Sequence, residues 1–479
     1  MIAAVASLGG FATIFASGFG VLRLLVRWPT RLNLPEQFGL SWLLGTGVVS
    51  LLLWVFGFLL RGPLLAVSVA VVCVALPLLA WKISGRSALH SQRWQKERPA
   101  ELLLATLLVF QVAFVFYLAA VRTLGWDGLL NWEIKARYAF SNGGALPAAY
   151  FQSEGRLFTH PDYPLAIPFS ELWIYFWLGE AHQFWAKMIF PMFYAAGTML
   201  LTSIGARLTG KTWVGLAAAI LVFFVPQIAT EPGGSATAGY ADLPLSILYL
   251  ATIGYLVLAC QQNEDDSFRI YAACLALLPW IKREGVILWF FAAFLGTLVI
   301  WRRKRRMIWL SALFPGPIIL FGWHFYLAQM HAISCPEFFP VSLSTLLAHA
   351  DRIGALISLF ASQLVNASKW GLFWMPVAIA CLYLGRKHRN FPGMVMLLGI
   401  LAPLVTYPFI FIFSAWPDYV GHVVCSGNRL FLHVAPLCSL AVWLAIAWCS
   451  PKPVASETDA LGAACKNVER ERTPEIEFA

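Results

Sequence analysis

Five stretches of this chain carry residues able to do acid–base or anion-binding chemistry. "GWDGLLNWEIKAR" (125–137) places Asp127 directly after an apolar run, and "THPDYPL" (159–165) offers His160, Asp162 and Tyr163. "GYADLPLSILYL" (239–250) sets Asp242 at the head of a second apolar run, and Lys282, Arg283 and Glu284 interrupt a third. "WPDYVGHVVCSGNRLFLHVAP" (416–436) holds Asp418, His422, Asn428 and Arg429. A carboxylate at a membrane–water boundary can take a proton from a hydroxyl, as general bases do. Arg grips a phosphate through a bidentate fork, and Lys does so as a point charge. Together these groups suit displacement at a carbon whose leaving group is a lipid-linked phosphate, with the cations stabilising the charge that develops there.

Each group also has a structural reading. Asp127 and Asp242 could cap helices, and Pro244 fits a first helical turn. His160-Pro161-Asp162 could be only a turn, and Arg429 an anchor at the membrane interface. Lys282-Arg283-Glu284 is harder to explain structurally. Charged residues at a bilayer centre cost about 2.5–3.5 kcal/mol each and usually mark a pathway or a site.

The elements that must position these groups are transmembrane helices. Of the 479 residues 59% are hydrophobic and only 12% charged, with mean hydropathy +0.71. A soluble domain carries about a quarter charged residues. Apolar runs long enough to span as helices recur, and the short alternating segments of a β-barrel do not. The expected fold class is therefore an all-α polytopic membrane protein. Its net charge of +10 fits basic loops gathered on the cytoplasmic side. No basic–aromatic nucleic-acid motif is present. The nine cysteines show no metal-ligand spacing. Cys335 and Cys425 both fall in expected outer loops, where a disulfide could join them. The N-terminus reads as a retained span rather than a cleaved signal.

Spans are expected near 3–25, 37–60, 63–81, 101–122, 186–208, 212–229 and 241–261, then two short passes within 270–301, then near 307–328, 370–385, 391–413 and 429–449. The total is about thirteen. The two short passes follow from length. As one helix, "IYAACLALLPWIKREGVILWFFAAFLGTLVIW" would run roughly 48 Å, too long for a core of about 30 Å. Pro279 and Gly285 mark the turn, with Lys282, Arg283 and Glu284 at its tip. Residues 165–178 are expected as an interfacial or re-entrant helix within a large first outer loop, and 354–366 as a second interfacial piece. The tail 451–479 is expected to be disordered and cytoplasmic. This threading brings all the candidate residues to the outer face.

The motifs "GWDGLLNWEIKAR", "HPDYPLAIP", an interfacial segment ending "WLGE", a hairpin with a basic inner loop and then "GYADLP" occur in an order that resembles the GT-C superfamily of integral-membrane glycosyltransferases. The bacterial branch related to protein O-mannosyltransferases and lipid A aminoarabinose transferases is nearest. The resemblance covers 101–450, leaving 1–100 as extra N-terminal helices. It implies Asp127 as catalytic base and Asp242 as a helper in acceptor or metal binding. It implies Lys282 or Arg283, and more weakly Arg429, as the groups that meet the donor phosphate. His160, Asp162 and Tyr163 sit where the family carries a His-Pro or Lys-Pro motif. The chain departs from the pattern at Gly128, where many relatives have a second acidic residue, and in its short tail, where some carry a folded domain.

The expected function is transfer of a hexosyl or pentosyl group from a polyprenyl-phosphate donor to a hydroxyl of a lipid, glycan or protein, with inversion, at the outer face of a bacterial inner membrane. Glu284 and His422 complete the expected substrate-binding set. No cofactor is certain on this reading, and a divalent metal is the one it allows. Two rivals stand beside this reading. A polysaccharide ligase or polymerase would use Arg429 and His422. A transporter or flippase would place its polar groups near the midplane with internal symmetry.

Overall fold

The computed structural model describes residues 2–26, 32–84, 99–305, 307–334, 336–387 and 390–449. Cys335, and with it the pairing with Cys425, lies outside the described residues, as do the tail and most of the basic stretch 82–98.

The long helices are α1 (Ile2–Leu25), α2 (Leu34–Phe56), α3 (Gly62–Ser84) and α4 (Pro99–Val121). After a π-helical turn at Gly128–Glu133 come α5 (Ile134–Ser141), α6 (Ala166–Leu178), α7 (Ile189–Thr209) and α8 (Thr212–Leu221). The second half comprises α9 (Asp242–Gln262), α10 (Asp265–Ile281), α11 (Gly285–Arg302), α12 (Pro315–Gln329), α13 (Arg352–Leu364), α14 (Trp374–Arg386), α15 (Phe391–Ile410), α16 (Tyr419–Leu432) and α17 (Ala435–Cys449). Among the described residues the only β pairing is one isolated bridge, Phe338 with Ser414.

Among the described residues nine helices are long and apolar enough to cross a membrane, or up to ten if α16 and α17, bent by 46°, form one broken span. The chain is thus a polytopic helical membrane protein. The expected thirteen includes three segments that are helical but shorter: α8, α10 and α14. The break expected between two passes is present, because α10 ends at Ile281 and Lys282 is extended at φ −158° and ψ 157°. Gly285 restarts the helix where a Cβ would overlap the carbonyl of Leu278.

Helix α9 is the central element. Every residue from Asp242 to Cys260 is buried, and α7, α10, α11, α15 and α17 pack around it. Its two ends, roughly 30 Å apart at 1.5 Å per residue, each carry a charged network. At the Gln262 end, Arg207 bonds Glu36 (2.6 Å), Glu264 (2.7 Å) and Gln262 (3.0 Å), and Tyr255 donates to Glu36 (2.6 Å). Glu36 also belongs to the Asn33 capping box that starts α2. Arg303 and Arg305 reach backbone carbonyls at this same end.

Helix α6, expected as an interfacial or re-entrant helix, is not among the spans and is enclosed by protein. All of Ala166–Tyr175 is buried, enclosed by α1, α2 and α5. The indole of Trp173 donates to Thr13 Oγ1 (2.9 Å) in α1. The N-terminal helices therefore form a wall of the same body, and that wall covers the apolar faces that α6 would otherwise turn to lipid. Helices α1 and α2 meet at backbone distance. A Cβ on Gly18 would overlap the carbonyl oxygen of Ser41, and one on Gly45 that of Ile14. Small residues at such crossings let membrane helices approach closely. Gly18→Ala is expected to cost about 1–3 kcal/mol by forcing the pair apart, read as a lowered unfolding temperature in detergent.

Candidate active site

Asp127 follows α4 and opens the π-helical turn. Its side chain makes no capping hydrogen bond, so the capping reading does not hold. It instead accepts from the guanidinium of Arg429 at 2.6 Å, across 302 residues of sequence. Two glycines make this possible. Gly125 N–H donates to Ala238 O at 2.8 Å, and a Cβ on Gly128 would stand 2.7 Å from that same oxygen. The Asp127 turn can lie directly on residues 238–239 only because position 128 has no side chain. This explains why no second acidic residue follows Asp127. π-Turns occur frequently at functional sites.

Asp242, first residue of α9, does not cap either. Its Oδ1 accepts from Lys282 Nζ (2.8 Å) and lies 3.0 Å from His433 Nε2, while Oδ2 accepts from Arg429 Nε (3.2 Å). Lys282 also meets Glu284 at 2.9 Å, and His433 Nδ1 lies 3.0 Å from the Tyr407 hydroxyl. The result is an unbroken array, Asp127–Arg429–Asp242–Lys282–Glu284, drawn from four separate parts of the chain. Burial alone would lower the pKa of Lys282, but Asp242 and Glu284 raise it overall. Burial would raise that of Glu284, and Lys282 brings it down. Lys282 and Glu284 therefore both favour their charged forms, within an array of three carboxylates and two cations. Asp242 is fully enclosed, whereas the Arg429 side chain keeps 19% of its surface exposed. The Arg429 guanidinium also lies over the Tyr240 ring, 4.9 Å from its centroid.

Arg283 links this array to a second cluster. It faces Asp162 (3.5 Å), pairs with Glu337, and lies over the Tyr163 ring at 5.3 Å. The Tyr163 ring stacks on His160 at 4.7 Å, and His160 Nδ1 is 3.7 Å from Glu337. Trp323 holds the Asp162 carbonyl at 2.9 Å. His160 sits in the left-handed region at φ 46°, a conformation uncommon for residues other than glycine. The buried ammonium of Lys135 donates to its carbonyl at 2.7 Å. Burial lowers the pKa of His160, with Glu337 opposing, and raises that of the Tyr163 hydroxyl.

The structure thus brings together Asp127, Asp242, Lys282, Glu284 and Arg429, and beside them His160, Asp162, Tyr163 and Arg283. His422 lies apart. It contacts Ser414 Oγ at 2.8 Å, stacks on Trp416 at 4.3 Å, and reaches the second cluster only through Phe338, over which Arg283 lies. Asp418 caps α16 by accepting from Gly421 N–H. Asn428 accepts from the Trp370 indole. Both are structural.

Four partners were missed in the sequence. His433 stands one helical turn beyond Arg429, a spacing that could have flagged it. Lys135, two turns after Asp127, carried a weaker signal. Glu337 and Tyr407 carried none. Among the described residues no group of three or more His, Cys, Asp or Glu is placed to hold a metal ion. Both aspartates are paired with cationic groups inside the array.

Lys135 yields a pH prediction. Burial lowers its pKa to about 7, against smaller opposing effects of Asp162 and Asp127, while an unfolded lysine titrates near about 10.4. Between those values the unfolded chain binds more protons, so this residue makes stability rise with pH across that window. Lys135→Met is expected to flatten the rise, seen by comparing unfolding temperatures of the two proteins from about pH 6 to pH 10.

No protein-family model, no curated protein and no solved structure matches this chain.

Proposed function

We propose that the protein is a membrane glycosyltransferase that moves a sugar from a polyprenyl-phosphate donor to a hydroxyl of a lipid, glycan or protein. The observation that carries this reading is the array in which Arg429 bridges a nearly buried carboxylate, Asp127, and a sealed one, Asp242. Asp127 takes the proton of the acceptor hydroxyl. The acceptor oxygen then forms its bond to the anomeric carbon as the bond from that carbon to the phosphate oxygen breaks. The lipid phosphate leaves with the electron pair, and attack from the opposite face inverts the centre. Arg429, with buried Lys282 behind it across Asp242, stabilises the charge gathering on the departing phosphate. Asp242, closed to solvent, holds these two cations in place rather than touching substrate.

An apolar groove of about 280 Å³ supports a lipid-linked donor. It runs between α11 and α15 and is lined by Phe290, Phe291, Phe294, Leu295, Leu398 and Ala402. Phe290 lies six residues beyond Glu284, roughly 9 Å along the helix, so a chain in the groove would leave its phosphate near Lys282. The membrane is the bacterial inner membrane on this reading. Arg207, Arg303 and Arg305 at the opposite end of α9 belong to the cytoplasm by the positive-inside rule, which turns the array outward.

The test is genetic. The gene is deleted in its host and restored as wild type or as Asp127→Asn, and envelope glycans and lipids are compared by mass spectrometry. The expected result is loss of a sugar-sized mass on deletion and its return with wild type alone. Unchanged glycans and lipids on deletion would overturn the reading.

A further inference from the structure

A second cavity lies at the same end of the bundle as the array. It has a volume of about 250 Å³ and forms between the α2–α3 turn, the loop 144–148, α6 and the end of α12. That is below the roughly 300–1,000 Å³ of sites for drug-sized ligands, so it fits one ring-sized group. Its walls are aromatic: Trp54, Phe58, Phe169 and Tyr326. Arg61 closes one side, and the backbone of Gly144–Leu146 another. The Gly62 N–H donates to Gly143 O at 2.7 Å, which ties the turn to the loop and builds the wall.

Two features point to a ligand. The guanidinium of Arg61 donates to the carbonyls of Gly57 and Leu60, and no carboxylate pairs with it among the described residues. The cavity also adjoins the second cluster: Tyr326 stacks on Trp323 at 5.5 Å, and Trp323 holds the Asp162 carbonyl. Trp54 rests on Trp280, two residues before Lys282.

The geometry points to a binding site for one saccharide ring bearing an anionic group. The C–H faces of a sugar are weakly positive and lie well against the negative faces of aromatic rings. Arg61 takes the anionic substituent. On the transferase reading, on which this last assignment rests, the ring belongs to the acceptor, held one tryptophan layer from the charged array.

The test uses the full-length protein in nanodiscs and saturation-transfer NMR, with methyl glucuronide as probe and methyl glucoside as its uncharged counterpart. Wild type is expected to bind the glucuronide at least tenfold more tightly than the glucoside. Arg61→Ala should abolish that preference, and Phe58→Ala should weaken both probes tenfold or more. Phe58 and Arg61 are both exposed, so the variants should fold, and unchanged unfolding temperatures check this. Equal binding by wild type and both variants overturns the proposal. So does a bound phospholipid, seen by native mass spectrometry, that is lost from both variants while neither glycoside binds. In the host, the Arg61 and Phe58 variants should reduce the transferred product. If deletion leaves glycans unchanged, the transferase reading fails and glycoside binding is judged alone. If Asp127→Asn abolishes the product while the pocket variants leave it intact, the acceptor assignment fails and the transferase reading stands.

Discussion

Asp127→Asn is expected to lower sugar transfer by about 10²–10⁴-fold, the usual contribution of a general base, without unfolding the protein. Asparagine has nearly the shape of aspartate and its carbonyl can still accept from Arg429, so the local packing survives. Arg429 also keeps its bond to Asp242, which prevents a buried unpaired cation. The amide cannot take a proton, and it also lacks the negative charge that pairs with Arg429. The measurement is turnover of a radiolabelled lipid-linked sugar extracted from the host, in vesicles carrying wild type or variant at equal folded amount. Because the base acts in the chemical step, the loss should fall on kcat rather than KM. Full turnover by a normally folded Asp127→Asn would show that the proton goes elsewhere, with Arg429 then only an interior ion-pair partner.

Asp242→Ala should behave in the opposite way, with stability falling first. Its carboxylate meets Lys282, Arg429 and His433 in a sealed interior. Removing one member of a buried pair typically costs about 3–5 kcal/mol, because the remaining charges stay desolvated. Glu284 and Asp127 still offset part of the positive charge, which places the expected loss toward the lower end of that range. Thermal unfolding in detergent reads it directly. The double variant Asp242→Ala with Lys282→Ala should lose less than the sum of the single variants, because each single change strands the partner that the other removes. Additive losses would mean that the pair is not coupled and that the array does not hold Lys282 in place.

The two variants also separate the roles of two aspartates that look alike in sequence. Both head or precede helices, and both invite the same capping interpretation. Neither caps. What distinguishes them is position: Asp127 lies on a turn at the edge of the array beside a half-buried arginine, and Asp242 at its closed centre. That distinction follows from how α9, α10 and α16 converge, and no local pattern around either residue carries it.

Much of the architecture was legible in the chain because the bilayer imposes a simple rule. Apolar runs must be helices that satisfy their own backbone hydrogen bonds, so the helical segments and the break at Lys282 followed from run length, Pro279 and the charges themselves. The gathering of the polar residues at one end of the bundle followed from the placement of the basic loops. The interior pairings did not. Arg429 reaches Asp127 across 302 residues and His433 reaches Asp242 across 191, and nothing in a one-dimensional reading couples such positions. The enclosure of α6 was equally hidden, since its apolar residues suit lipid and protein alike. Lys135 looked like one charge on an amphipathic turn until its neighbours closed over it.

By itself, the sequence determined the class, the helical segments and the residue types available for chemistry, because those depend on local composition and on a solvent that admits few backbone forms. Only the tertiary structure decided which charges meet, which of them water can reach and where a ring-sized cavity opens. Those properties arise from close approach between distant segments, made possible here by glycines such as Gly18, Gly45 and Gly128, where a single added carbon would hold the backbones apart.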